Sequence, residues 1–357
     1  MGEQGDGFTT CRVILEESIM QKGKPATAGS KMLENFIAPI DATVVTRLET
    51  AGAQIAGRAG MDEFGAGGLF GTGGLFGTET TAEAVSFVAD GKADFALCND
   101  YTGATGLAAA AHGVCYIHPT YGTVSRYGLI PAVISMDQIG IVCKTPAEGF
   151  KLLKIIAGYD PKDGIMSSAG RPDSAKCSES TKQPDCTKLE VEYMDYRSKY
   201  SGVFTQIMQI LCCAELSNNI NRYDGIKYGY RTKDYRGLQE LYKKSRTEAF
   251  GADVKLALMI GAMVLSQENY TRYYDKAMRL RRLIKEEFEF EQGKRQKKQD
   301  SSSERINSSA AVIRFDGKSE LNYLALSRLC GLPSVTTPEC TYISNAGCEE
   351  ALEAEFL

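Results

Sequence analysis

The pattern of apolar and polar positions changes character partway along the chain. In the first half, short apolar runs alternate with segments of helical period. Arg12–Leu15 predicts a strand. Asp41 is placed to cap a helix whose apolar face is Val44, Val45 and Leu48, with Gly52 as its stop. Ala53–Ala56 reads as the next strand. Thr81 is expected to cap a helix over Ala82–Asp90, Gly91 to end it, and Phe95–Cys98 to follow as a strand. Val114–Ile117 and Gln138–Cys143 predict two more strands, and Phe150–Ala157 a helix closed by Gly158. Alternation of this kind predicts an α/β sheet with helices on its faces.

From about Tyr200 the pattern turns helical. Val203–Asn221 and Tyr235–Phe250 read as helices, and Asp253 as the cap of a long third helix reaching about Phe288. The first half of that helix is apolar nearly all round, which predicts burial; its second half carries Tyr270, Tyr273, Tyr274, Met278 and Ile284 on one stripe. Two segments break the pattern. Gly67–Thr78 is a tandem hexapeptide, GGLFGTGGLFGT, which reads as a flexible loop exposing Phe70 and Phe76. It fits no phosphate-cradling motif. It is expected either to cover a cleft or to anchor a partner, with covering the favoured role. Residues 291–309, containing KRQKK and SSSE, read as a solvated linker. Nucleic-acid contact is open only through its local basic tract, Lys294, Arg295, Lys297 and Lys298.

Composition narrows the classes. The chain has 357 residues, 43% hydrophobic and 24% charged, which are globular values and exclude wholesale disorder. Its 41 basic against 45 acidic residues exclude a strongly basic nucleic-acid binder. No apolar run is long enough to span a membrane. The first twenty residues hold one basic residue, Arg12, and resemble neither a secretory signal nor an Arg-rich presequence. The 11 cysteines show no paired spacing and read as small buried hydrophobes, and the two histidines, His112 and His118, make no zinc site with them. No metal or cofactor is expected.

Several stretches then carry a resemblance. Ser30–Gly65 (SKMLENFIAPIDATVVTRLETAGAQIAGRAGMDEFG), His118–Val142 (HPTYGTVSRYGLIPAVISMDQIGIV), Ala157–Asp163 (AGYDPKD), Asn221–Gly229 (NRYDGIKYG), Ser245–Ser266 (SRTEAFGADVKLALMIGAMVLS) and Gly331–Pro338 (GLPSVTTP) follow the order of the amidase-signature family. They resemble most its branch of A subunits of glutamyl-tRNA(Gln) amidotransferases. The resemblance implies a mixed central sheet covered by helices on both faces, shortened at both ends relative to the family. It divides the chain into a core over 1–290, the linker 291–309, and a C-terminal remainder with an acidic tail over 310–357.

The family's chemistry rests on a lysine base, a serine in a cis peptide that relays the proton, and a second serine that attacks the amide. A hydroxyl needs such a neighbouring base at neutral pH, and amide N–H groups must face the developing oxyanion. Carried over by position, the lysine falls on Glu16, the cis-serine on Thr80 and the nucleophile on Ala104. A substrate-pocket arginine falls on Gly106, and a family lysine on His118. An ordinary trans peptide is expected at Thr80, because its flanking glycines are replaced.

No catalytic or substrate-binding residue is therefore expected at these degenerate positions. The leading reading is a catalytically inactive structural or interaction subunit that scaffolds a larger assembly with other protein subunits. The resemblance hints at a mitochondrial or other organellar home, with the cytoplasm as the alternative. The second reading is a working A subunit of a glutamyl-tRNA(Gln) amidotransferase. The third is a different catalyst drawn from Glu16, Asp100, Thr80, Thr81, His118 and Cys115.

Overall fold

Alternation in β1 (Arg12–Glu16) sorts its side chains onto two faces, and the two faces found two cores. Val13 and Leu15 enter one apolar cluster; Ile14, between them, enters another. The structure is a computed structural model that describes residues 11–70, 83–166, 192–193, 198–299, 311–316 and 321–356, with the side chains of 192–193, 290–299, 311 and 316 left aside.

β1 lies parallel between β2 (Gln54–Ala59) and β3 (Phe95–Asn99). Beyond β3 the pairing turns antiparallel through β5 (Ile139–Cys143), β4 (Cys115–His118), β8 (Ser334–Thr336), β9 (Cys340–Ile343) and β7 (Ala311–Asp316). The two-residue β6 (Glu192–Tyr193) extends the β7 edge in parallel, giving the order β2-β1-β3-β5-β4-β8-β9-β7-β6. The sheet is mixed, as the resemblance implies.

One face is covered by α1 (Thr43–Thr50), α4 (Pro146–Ile156) and α10 (Glu349–Ala354), which contribute Val44, Val45, Leu48, Phe150, Leu153 and Leu352 to that core. The other face carries α2 (Glu83–Ala89) and α3 (Ala104–Ala111), through Ala84, Val85, Val88 and Ala109. A separate helical layer holds the third core: α5 (Phe204–Asn219), α6 (Gly237–Ala249), α7 (Ala252–Leu265), α8 (Lys276–Gln299) and α9 (Leu321–Cys330).

Several expectations are corrected. Asp41 does not cap α1: its cap position is Ala42, and Asp41 Oδ1 instead accepts the Lys22 N–H at 2.7 Å. The long third helix is two helices. Ser266 adopts an extended conformation, its hydroxyl donates to the Met263 carbonyl at 2.8 Å, and a π-helical turn at Thr271–Asp275 leads into α8. α7 is not buried all round. Val254, Ala257, Gly261 and Val264 face inward, while Met259 is 63% and Met263 48% exposed. The inner face is tight because a side chain at Gly261 would collide with the Cys213 carbonyl and Ser217 of α5.

The expected linker begins as helix, since α8 runs on to Gln299; residues 300–310 lie outside the described ones. The C-terminal stretch is threaded into the sheet, where β8 pairs with β4. The acidic tail is tied down: Glu349 Oε1 accepts the Thr120 N–H at 2.9 Å, and Glu353 pairs with Lys154 at 2.6 Å. No described helix is long and apolar enough to cross a membrane.

Candidate functional site

Parallel pairing of β1 and β3 sets their carboxyl ends side by side, the place where α/β sheets open a crevice. Glu16 ends β1 and Asn99 ends β3. Glu16 is 4% exposed; its Oε2 accepts the Asn99 N–H at 2.9 Å and the Ser18 hydroxyl at 2.8 Å. Burial pushes its carboxyl up to about 8, and the nearby Asp62 and Asp100 add to the rise. Those two hydrogen bonds only partly oppose it. At neutral pH Glu16 is therefore a neutral acid. It is neither a base nor the cation that the resemblance places at this position.

After Asn99 the chain turns through Asp100–Gly103 into α3. Gly103 takes a left-handed conformation (φ 93°), and Ala104 is the first helical residue. This is where an acyl-transfer site would hold its nucleophile and its oxyanion donors. Here the chain fills those donors itself. Asp100 Oδ1 accepts the Gly103 N–H at 2.6 Å, Asp100 Oδ2 accepts the Gly106 N–H at 3.4 Å, and Thr102 Oγ1 accepts the Ala104 N–H at 3.2 Å.

The Asp100 carboxylate is further held by Arg328 of α9, whose Nη2 donates to Oδ2 at 2.8 Å. Both side chains are almost wholly shut from solvent, Arg328 at 0% and Asp100 at 1% exposure. The other arm of Arg328 reaches the Ser327 and Ser334 hydroxyls at 2.7 and 3.1 Å. Gly106 is buried, close to Tyr116, Leu324 and Thr336. Gly106 holds no guanidinium where the resemblance places the family's arginine, and the one that reaches Asp100 comes from 228 residues away.

The described part of the first hexapeptide copy, Gly67–Phe70, lies over this turn. A left-handed kink at Phe64 (φ 51°) and Gly65 (φ 70°) redirects residues Glu63–Phe70 across the cleft. A methyl built on Gly68 would stand 2.5 Å from Thr102 Oγ1 and 2.9 Å from the Ala104 methyl. Gly67, Gly68 and Leu69 are buried, and Phe70 is half-buried against the helical core. The expectation of a flexible loop exposing Phe70 is corrected: glycine here allows close backbone approach. Phe76, Thr80 and Thr81 lie outside the described residues, and with them the expectation of a trans peptide at Thr80.

Asp62 lies beneath the same segment. Its Oδ2 accepts the Gly67 N–H at 2.6 Å, its Oδ1 is buried without a partner, and burial lifts its carboxyl to about 6. The described residues leave a cavity of about 10 Å³ lined by Glu16, Asp62, Asn99, Asp100, Thr102 and Ala104, among others. That is about the room of one water.

The third set of sequence candidates is only partly brought together. Glu16 and Asp100 share the cavity; His118 and Cys115 do not line it. His118 is 2% exposed, and burial, with Arg328 nearby, pulls its imidazole well below the usual range. Burial pushes the Cys115 thiol up to about 11, which leaves it unreactive. Lys22 and Lys24 are exposed. At Lys294, Arg295, Lys297 and Lys298 only the helical backbone is described. Among the described residues no group of three or more His, Cys, Asp or Glu side chains is arranged to hold a metal ion. Sequence reasoning missed Arg328 and Asp62. The signal for Arg328 was present: it is the lone charge in the helix LNYLALSRLC.

Comparison with known proteins agrees with this fold. The amidase family model matches residues 4–78, 84–189 and 184–290. The chain is 33% identical to the A subunit of glutamyl-tRNA(Gln) amidotransferase from Lachnoclostridium phytofermentans, over 91% of this chain and 74% of that protein. It is 34% identical to the corresponding protein of Trichodesmium erythraeum, over 81% and 68%. Among solved structures, native peptide amidase from Stenotrophomonas maltophilia superposes with a TM-score of 0.69 at 19% identity, covering 97% of this chain and 81% of that one. An amidase family protein from Bacillus anthracis gives 0.66 at 17%, covering 97% and 76%. In sequence and in architecture alike, the chain belongs to the amidase family.

Proposed function

We propose that this amidase-family chain does not hydrolyse amides and serves as a structural or interaction subunit of a larger protein assembly. The observation that carries the reading is position 104. Its methyl group stands where the resemblance places the nucleophile, under the backbone of Gly68. Three further features support it. Glu16 is a neutral acid rather than a lysine, Asp100 and Thr102 occupy the amides of the α3 turn, and the cavity measures about 10 Å³. Members of such a catalytic unit act together, so loss of the attacking atom removes the mechanism.

The test is ammonia release from glutamine and from a panel of simple carboxamides by the purified chain. Background rates are expected, unchanged in Glu16→Gln. Turnover at enzymatic speed that follows the protein through purification overturns the reading. A second reading is favoured by the names of the relatives: a place in a glutamyl-tRNA(Gln) amidotransferase, with the amide chemistry supplied by another subunit. Co-purification with such partners distinguishes it. The organellar home rests on the resemblance alone, and cell fractionation tests it.

A further inference from the structure

The two buried aspartates of the cleft are balanced unequally. Asp100 meets the Arg328 guanidinium and two backbone amides. Asp62 meets no cation. It is 4% exposed, its Oδ2 accepts the Gly67 N–H, and its Oδ1 is buried with no hydrogen-bond partner among the described residues. Burial, with repulsion from Asp253 added to it, lifts the carboxyl to about 6, so Asp62 still carries its charge at pH 7. A buried charged oxygen left without a donor costs stability, and in folded proteins such atoms are met by a protein group, a water or an ion.

Asp62 lines the cavity of about 10 Å³, the room of about one water. Glu16, Asp100, Thr102 and Thr105 bring further side-chain oxygens to the lining, and no Lys, Arg or His side chain belongs to it. Two cations lie close by, and both are committed elsewhere. Arg328 is matched to Asp100. Arg58 is near enough to Glu17 and Glu16 to feel their charges, yet it gives Nη2 to the Glu16 and Ile19 carbonyls and does not line the cavity. With Glu16 holding its proton, Asp62 leaves the lining one negative charge beyond what Arg328 balances.

We infer that this cavity is a binding site for one ammonium ion, which donates to Asp62 Oδ1 and neutralises its charge. Ammonium takes up about the room of a water, and its N–H donors suit a lining of carboxylate and hydroxyl oxygens. A water would supply the missing donor but not the missing charge. A metal ion fits less well, because among the described residues no three His, Cys, Asp or Glu side chains are grouped to hold one. The site asks for no bond to be made or broken, so it stands whether or not the chain hydrolyses amides.

The experiment follows thermal unfolding of the full chain at pH 7 in ammonium chloride up to about 0.2 M, with tetramethylammonium chloride holding the ionic strength constant. Tm is expected to rise saturably, by about 2 °C. Methylammonium, one carbon too large for the cavity, and potassium, which donates no hydrogen bond, are expected to give less than about a third of that rise. Asp62→Asn removes the charge and is expected to abolish the response. Should that variant not fold, isotope-labelled ammonium added to the wild-type chain decides: NMR is expected to show a bound ammonium signal that excess unlabelled ammonium displaces and methylammonium does not. The inference is overturned if ammonium raises Tm no more than tetramethylammonium does, which leaves the cavity to a water. It is also overturned if potassium or methylammonium matches ammonium, if Asp62→Asn keeps the rise, or if no bound signal is seen. Ammonia release from glutamine, measured on the same sample, keeps the two readings apart. Turnover with the ammonium response intact defeats only the inactive reading; an inert chain without the response defeats only the site.

Discussion

The cleft at the ends of β1 and β3 and the outer side of α7 treat burial in opposite ways. In the cleft, charge is shut in: Asp62, Asp100 and Arg328 lie almost entirely out of water, with Glu16 neutralised among them. On α7, apolar surface is left out. Each arrangement costs stability on its own. In the cleft the cost is offset inside the chain, by the Asp100–Arg328 pair and by amides that turn their N–H groups onto Asp100. On α7 no described element does so. The Asp100 side of the cleft is thus completed from within the chain, while the helical face stands open among the described residues.

The largest expected effect strikes the closed side. Arg328→Met leaves Asp100 buried without its cation and should cost about 3–5 kcal/mol, read by urea denaturation at pH 7. A loss below about 1 kcal/mol would mean that the amides alone sustain the carboxylate.

Next is pH. The folded state holds the Glu16 proton up to about pH 8, whereas an unfolded glutamate releases it near 4.5. Between those values the unfolded chain binds fewer protons, so stability present below about 4.5 drains away as pH rises to about 8. Asp62 adds a similar decline ending near 6. Glu16→Gln keeps the acceptor for Asn99 and Ser18 and should abolish the upper part of the slope. At pH 8 it should be more stable than wild type by on the order of a few kcal/mol. Denaturation curves that run parallel for the two proteins from pH 5 to 9 would show that Glu16 is ionised in the fold.

A third prediction contrasts the two sides of one helix. Gly261→Val drives a side chain into the Cys213 carbonyl and should destabilise by about 1–3 kcal/mol. Ala262→Val, one residue along on the open side, should change stability by under about 0.5 kcal/mol. The smallest effect belongs to Met259→Glu and Met263→Glu, each expected within about 0.5 kcal/mol of wild type by thermal unfolding. A large loss there would mean that the face is already covered in the free protein.

Much of the scaffold could be read along the chain. The strand positions at Phe95 and Ile139 and the glycine stop at Gly52 follow from local rules of period and backbone freedom, and the structure places them within a few residues. The replacement of a hydroxyl by a methyl at Ala104 needed no coordinates, because it is a matter of which atoms a side chain owns. Other features depend on neighbours remote in sequence. The insertion of β8 beside β4 and the reach of Arg328 to Asp100 join positions more than two hundred residues apart. No local pattern encodes such pairs. For the same reason the apolar composition of α7 suggested complete burial, although hydrophobicity states only that contact with water is unfavourable and not whether a neighbour removes it.

Residue identity alone therefore settled the alternation of strands and helices in the first half and the side-chain atoms available at positions 16, 104 and 106, since each is a local property of spacing or covalent structure. Only the tertiary arrangement decided that burial raises the Glu16 carboxyl, that Asp100 occupies the amides of the α3 turn, that the backbone of Gly68 closes over Ala104, and that one side of α7 meets solvent. Desolvation, hydrogen-bond partnership and cover are properties of surroundings, and the surroundings exist only once the chain has folded.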